Sequence, residues 1–354
     1  MTTILTTTGI SLYLNTGRTN NTRTPTDDQM RQYLRQNSRQ AAAETNSLLQ
    51  MSRQDDHLVL LHTQKTEAIR CAHLLEEYFR SEGYQHVRLT PLAFQSDPKQ
   101  IETTGLRDLI DALINEIDKA QRNQQEVIIN ATAGFKAQVV YSTMIGMIYQ
   151  VTVKYIYEDF QTVVTFNPIA VEWDTSLFLT YEAFFHWVDA RQRTYQEVEH
   201  YLMNYPEHEK IKPFLTPPDV NGEVFLSYIG DALRRKFQRE KEEAELINWP
   251  PPASEQNPED KIATSIRHRK HHPVKGDLEA CEKIAALDCV EEIIGGFYEN
   301  TTRTAVRRVS EDGSILLVWA DNTNAARFTI YTTAKGKPQT LKVAQKIKEI
   351  LEID

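Results

Sequence analysis

The sequence predicts an α/β chain of more than one domain: a mostly parallel, helix-covered sheet over residues 1–172 and a small α+β segment over 262–354. Three observations predict it. Short apolar runs alternate with amphipathic stretches in the first half, the pattern of strands joined by helical crossovers. A Pro-rich run, WPPPASEQNP at 249–258, interrupts the chain. Beyond it, β-rich runs separated by turn residues lie between two helical patterns, which suits a segregated α+β layer. At 354 residues and about 150 residues per domain, two or three domains are expected.

Each element has its own local reason. Residues 3–8 form a β-branched run ended by Gly9, and LVLLH at 58–62 has the continuous apolar character of a strand buried on both faces. Residues 68–79 carry apolar side chains at helical spacing up to Gly83, 86–92 return to a strand pattern, and 106–117 are helical again. VII at 127–129 predicts a buried strand, 137–149 a helix, and 151–157 and 163–166 two more strands. This order is Rossmann-like, and ligands of such sheets sit beyond the carboxyl ends of the strands. Residues 15–54, rich in Thr, Asn, Gln and Arg, form a polar insertion. They are expected either as a mobile flap or as a long helix over 29–51 reaching across a dimer mate.

Residues 173–248 turn helical and aromatic (FLTYEAFFHWV), then place a Pro/Asn/Gly turn between short runs ahead of a helix with a charged tail, REKEEAE. That pattern suits a winged-helix-like connector or a helical spacer with one hairpin. Residues 249–261 are expected as an extended Pro-rich linker. In 262–354, helical spacing over 277–295 precedes a strand at 303–309, a hairpin turn at EDGS, strands at 315–319 and 326–332, and a closing amphipathic helix, LKVAQKIKEILEI.

The net charge of −9 argues against a surface that binds nucleic acid throughout, but it sums over unlike parts. Residues 261–354 hold 15 Lys+Arg and 13 Asp+Glu, leaving 25 against 36 in residues 1–260. Only the C-terminal part leans basic. Between residues 299 and 348, nine Lys+Arg stand against four acids, a footprint suited to an RNA backbone. Cys71, Cys281 and Cys289 are widely spaced and form no disulfide or zinc pattern. With no apolar run near the roughly 18 residues a span needs and no basic leader, a cytoplasmic protein without membrane attachment is expected.

Two strand-to-helix loops have the makings of a phosphate or ribose site. In TTTGISL, Gly9 lets backbone approach a ligand while Ser11 and the N–H groups offer donors. In NATAGFKA, Lys136 stands at a helix start, where the dipole favours an anion. Neither is a Walker A loop or a GxGxxG fingerprint. Taken together, the two loops resemble the CARF family of CRISPR-associated proteins, over about residues 1–172. The resemblance implies a dimeric, Rossmann-like sensor with cyclic oligoadenylate, most directly the tetra-adenylate, lying across the two-fold axis. Carried over, it puts Gly9, Ile10, Ser11, Thr132, Gly134, Phe135 and Lys136 at the ligand. Thr63, Gln64 and Lys65 follow the second strand and join them by topology alone. No other cofactor is expected.

The C-terminal segment, TTRTAVRRVSEDGSILLVWAD then AARFTIYTTAKGK then a helix, resembles the RelE-like toxins. Those are small α+β ribonucleases that cut messenger RNA on the ribosome without a metal. Such cleavage needs a base for the 2′-OH, cations for the phosphorane and an acid for the leaving oxygen. The candidates are Arg303, Arg307, Arg308, Arg327, Tyr331, Lys335 and Lys337. Because strand side chains alternate, Arg303 and Arg307 are expected on one face together with Lys335 and Lys337, with Arg308 as the alternative. The run His268, Lys270, His271, His272, Lys275 lacks zinc-ligand spacing, and no metal site is expected. The implied activity is a homodimeric, cyclic-oligoadenylate-activated, ribosome-dependent endoribonuclease acting on mRNA. Two alternatives stand beside it. A HEPN-type ribonuclease would use Arg267 and His272, though β-strands and Pro273 speak against that helix; a non-catalytic transcription regulator would use the connector on DNA. A sensor that slowly degrades its own ligand is a third possibility.

Overall fold

β-Branched and aliphatic runs build a six-stranded sheet from β1 (Thr2–Thr8), β2 (His57–His62), β3 (His86–Pro91), β4 (Glu126–Asn130), β5 (Thr152–Ile156) and β6 (Val163–Phe166). The strand order is β3-β2-β1-β4-β5-β6. β1 to β5 run parallel, and β6 lies antiparallel on β5. Burial along nearly the whole of β1 and β2 follows from helices on both faces. Order reverses between β1 and β4, which opens the crevice that doubly wound sheets use for ligands. The structure is a computed structural model. It describes residues 1–92, 106–134, 136–156, 162–169, 171, 173, 175–203, 205, 208–247, 249–268, 274–321 and 323–353, in two compact units, Met1–Glu172 and Trp173–Asp354.

The polar insertion is neither a flap nor one long helix. It forms α1 (Ser11–Thr19), α2 (Asp27–Gln36), α3 (Ser38–Ala41) and α4 (Ala43–Met51), broken where Asn37 and Ala42 leave helical dihedrals. A capping box between Thr26 and Gln29 starts α2. Met30, Leu34, Ala41 and Leu48 join Leu12, Ile4 and Phe79 in one core, so a sparse apolar stripe is enough to dock these helices on the sheet. α5 (Thr66–Ser81), α6 (Leu106–Arg122) and α7 (Lys136–Ile148) complete the unit.

The second unit begins with α8 (Ser176–Thr180), α9 (Glu182–Ala190), β7 (Arg193–Thr194), α10 (Tyr195–Leu202), α11 (His208–Ile211), β8 (Glu223–Val224) and α12 (Tyr228–Leu246). β7 pairs antiparallel with β8, and a Leu215–Leu226 bridge extends that pairing around a turn at Asp219–Gly222. After it come α13 (Thr264–Arg267), α14 (Asp277–Ala285), β9 (Val290–Glu299), β10 (Ala305–Val309), β11 (Ser314–Ala320), β12 (Ala325–Thr332) and α15 (Gly336–Leu351). The four strands form an antiparallel sheet ordered β10-β11-β12-β9.

Two sequence expectations change here, and one strand edge finds a partner. The helical pattern over 277–295 is a helix followed by a strand: Val290, Ile293 and Ile294 mimic helical spacing, but Val290 and Ile293 are buried on β9. The 249–261 segment is not a detached linker. Its backbone is tied to the sheet, Ser254 N–H donating to Asp288 O at 2.8 Å and Ile293 N–H to Lys261 O at 2.6 Å. The edge of β10 is closed by the connector: Val309 N–H donates to Ser176 Oγ at 3.0 Å, and Thr180 Oγ donates to Val306 O, which removes an open strand edge. Among the described residues no helix is long and apolar enough to cross a membrane.

Candidate functional site

At the carboxyl ends of β1, β2 and β4 the two sequence-predicted loops meet around one cavity of about 340 Å³. Gly9, Ile10, Ser11, Thr132 and Gly134 line it, as do Thr63 and Lys65. Gln64 lines the adjoining cleft with Ile10 and Lys65. Lys136 is exposed at the first turn of α7 and is not among the lining residues; Phe135 lies outside the described residues. α1 and α5 begin here without a side-chain cap, so backbone N–H groups and the positive dipole ends face the cavity region.

The loops are held by side chains that leave little freedom. Thr7 Oγ1 donates to Ala133 O, tying the first loop to the second. Thr132 Oγ1 donates to Asn130 Oδ1 at 2.7 Å and accepts from Ile156 N–H at 3.1 Å. Gly134 has φ +111°, so the backbone calls for glycine, and a Cβ there would also displace the end of the Gln138 side chain, 2.2 Å away.

One lining residue escaped the sequence reading. Glu44, on α4, is 1% exposed. Its Oε1 accepts from Gly9 N–H at 2.7 Å and its Oε2 from Ser11 Oγ at 2.9 Å. Burial raises the carboxyl pKa above its ordinary value, while the Gly9 and Ser11 donors oppose that shift. The signal was present in AAAETNSLL: Glu44 falls three residues after Ala41 and four before Leu48, on the stripe that packs inward.

The seven C-terminal candidates divide among three places instead of converging on one groove. Arg303 precedes β10 and lies over the Tyr205 ring at 4.4 Å and the Tyr181 ring at 5.5 Å. Arg307 Nη1 donates to Tyr181 Oη at 2.7 Å. Both arginines are therefore engaged by aromatic residues of the connector, where Tyr181 is fully buried and burial raises the Tyr205 pKa. Lys337 is buried, its Nζ donating to Trp173 O at 3.2 Å, whereas Lys335 is exposed at the N-cap of α15.

Arg308, Arg327 and Tyr331 occupy the open face of the sheet. Arg303 and Arg307 meet at Tyr181 while Arg308 lies apart from them; the register slip between Val306 and Arg308 sets Arg308 on the face of Arg327, which is how a bulge re-aims a side chain. Arg308 stands opposite Leu316, Arg327 opposite Val318 and Phe297, and Tyr331 opposite Ser314 and Glu292. Phe328 and Ile330, on the other face of β12, are buried. Exposed Phe297, opposite Arg327, adds aromatic surface to this face, whereas exposed Tyr298 pairs with Ala326 and belongs to the other face. Of the possible HEPN pair, Arg267 donates to the Glu259 and Ile262 carbonyls, and His272 lies outside the described residues. His268 and Lys275 are described; Lys270 and His271 are not.

Residues 39–169 match the family model described as CRISPR-associated protein (Cas_APE2256). The match runs through Glu44, Thr63, Lys65 and the 130–134 loop, and so through most of the cavity wall. This part of the chain is similar to a CRISPR-associated protein, and the match ends before the second unit begins.

Proposed function

We propose that the chain is a cyclic-oligoadenylate-activated, ribosome-dependent mRNA endoribonuclease of CRISPR signalling, working as a cytoplasmic homodimer. One observation carries the sensor half: TTTGIS and NATAG close on a single cavity at the switch point of a parallel sheet, inside a segment largely matched by a CRISPR-associated family. The cavity has room for a share of a cyclic oligonucleotide, as expected of one half of a two-fold site. Exposed Val140 on α7, with Val164, Phe166, Ile169 and Val171 on and after β6, supplies apolar surface for a second copy. Cys71, Cys281 and Cys289 are buried and form no disulfide, in keeping with a reducing compartment.

In the effector half the open face of the RelE-like sheet takes RNA. Arg308 and Arg327 stabilise the pentavalent phosphorane, Tyr331 moves a proton, and Phe297 stacks on a base. Lys335 stands at the helix entrance as a further cation. The reaction needs no metal: the 2′-OH attacks the adjacent phosphorus, its proton goes to a base, and the 5′-oxygen leaves with a proton from an acid. Arg303 and Arg307 hold the connector against the sheet. The reading is tested by titrating rings of increasing size into the full-length chain, then asking which of them triggers mRNA cleavage in a translation extract.

A second reading has its own observation. In the connector, helices α9, α10 and α11 alternate with β7, the Leu215–Leu226 bridge and β8, the order of a winged helix, which would let a ligand-responsive regulator bind DNA. Salt-dependent binding to promoter DNA, with no RNA cleavage, favours it.

A further inference from the structure

In its ionised form Glu44 only accepts, and the hydrogen bonds around it then have a fixed direction. Gly9 N–H and Ala43 N–H can only donate: the first goes to Glu44 Oε1 at 2.7 Å and the second to Ser11 Oγ at 3.3 Å. The Ser11 proton goes to Glu44 Oε2 at 2.9 Å. A hydroxyl has one proton and two lone pairs. Ser11 therefore turns one remaining lone pair to its surroundings, and the Gly9 N–H is already committed. This rim of the cavity is an acceptor backed by a buried carboxylate. A phosphate oxygen, itself only an acceptor, finds no donor at Ser11 Oγ, and the Gly9 N–H is already given to Glu44.

Resting on the ligand reading above, we infer that Glu44 is a specificity-determining positioning residue. It makes Ser11 an acceptor, so the β1–α1 rim takes a donor group of the nucleotide, a ribose hydroxyl or the exocyclic amine of adenine. The phosphates then lie toward the loop of Thr132, Gly134 and Lys136. This divides the labour between two loops that the sequence treats alike. Glu44 acts through Ser11 and Gly9 and need not touch the ligand, which agrees with its 1% exposure.

The test is calorimetric titration of the full-length chain with cyclic tetra-adenylate, its 2′-deoxy counterpart and its inosine counterpart. The wild type is expected to bind the parent ring about tenfold tighter than one of the two analogues, the size of one hydrogen bond. The deoxy arm marks the ribose hydroxyl as the donor and the inosine arm marks the amine. In Glu44→Gln the amide oxygen still accepts from Gly9, while the amide N–H points at Ser11 and turns its proton into the cavity. That variant is expected to bring the ratio near one, and Ser11→Ala to do the same with Glu44 in place. A wild type that binds all three rings alike overturns the inference, as does a folded Glu44→Gln that keeps the wild-type ratio. Should Glu44→Gln not fold, an unchanged ratio in Ser11→Ala overturns it. A wild type that binds no ring refutes the ligand reading itself, and the inference with it.

Discussion

Arg307 donates to the Tyr181 hydroxyl at 2.7 Å, joining a strand of the small sheet to a fully buried ring of the connector. Beside it Arg303 lies 4.4 Å over Tyr205. Cations that look like an RNA-binding row in the sequence are thus split between a structural clasp and an open sheet face.

The split predicts opposite phenotypes. Arg303→Ala and Tyr181→Phe should each destabilise the chain by about 1 kcal/mol, from the lost cation–π contact or the lost hydroxyl partner. Arg308→Ala and Arg327→Ala, on the open face, should change stability by no more than about 0.5 kcal/mol while lowering RNA cleavage at least tenfold. Urea denaturation and a cleavage assay on the four proteins check this; equal stability losses in all four would contradict it.

Gly134→Ala should destabilise the chain by about 1–3 kcal/mol. The residue sits at φ +111°, a region that L side chains rarely occupy, and its new Cβ would meet Gln138. Ligand binding should fall with it. Chemical denaturation showing no loss would refute the strained-loop account.

Lys136→Ala should leave stability unchanged within about 0.5 kcal/mol, because the side chain is exposed. Affinity for a cyclic oligoadenylate should drop about tenfold, as one phosphate contact is lost. Titration of the folded variant reads both, and undiminished binding would remove Lys136 from the site.

Acidification should destabilise the first unit through His57. Burial lowers its pKa from 6.5, and His86, whose ring is 4.4 Å away, lowers it further, with Asp56 opposing and Arg88 adding to the effect. The unfolded chain then binds a proton that the folded one resists. Stability is therefore full above pH of about 6.5 and declines as pH falls below it. His57→Gln should flatten the melting-temperature profile between about pH 7 and 5; a profile as steep as that of the wild type would contradict the assignment.

The strands were legible wherever a continuous apolar run met a turn residue, as in LVLLH and EVIIN, because burial on both faces imposes that run. β9 was not, since Val290, Ile293 and Ile294 fit a helical period as well as a strand with glycines that break alternation. The packing of α1–α4 was hidden by polar composition, although Met30, Leu34 and Leu48 were enough to bury them. At the site, the loops carrying Gly9 and Gly134 could be found from strand ends. Glu44 could not be joined to them, because its partners lie 35 and 33 residues away along the chain. Counting parity along 303–309 does not show which face Arg308 takes, because a single bulge shifts the register.

The most direct measurement is cleavage of a defined mRNA in a purified translation extract, with and without cyclic tetra-adenylate, and with ribosomes removed in a parallel reaction. The account predicts cleavage only when ring and ribosomes are both present, abolished in an Arg308→Ala, Arg327→Ala double variant that still binds the ring. Intact mRNA across a full series of ring sizes, or cleavage indifferent to ribosomes, would contradict it.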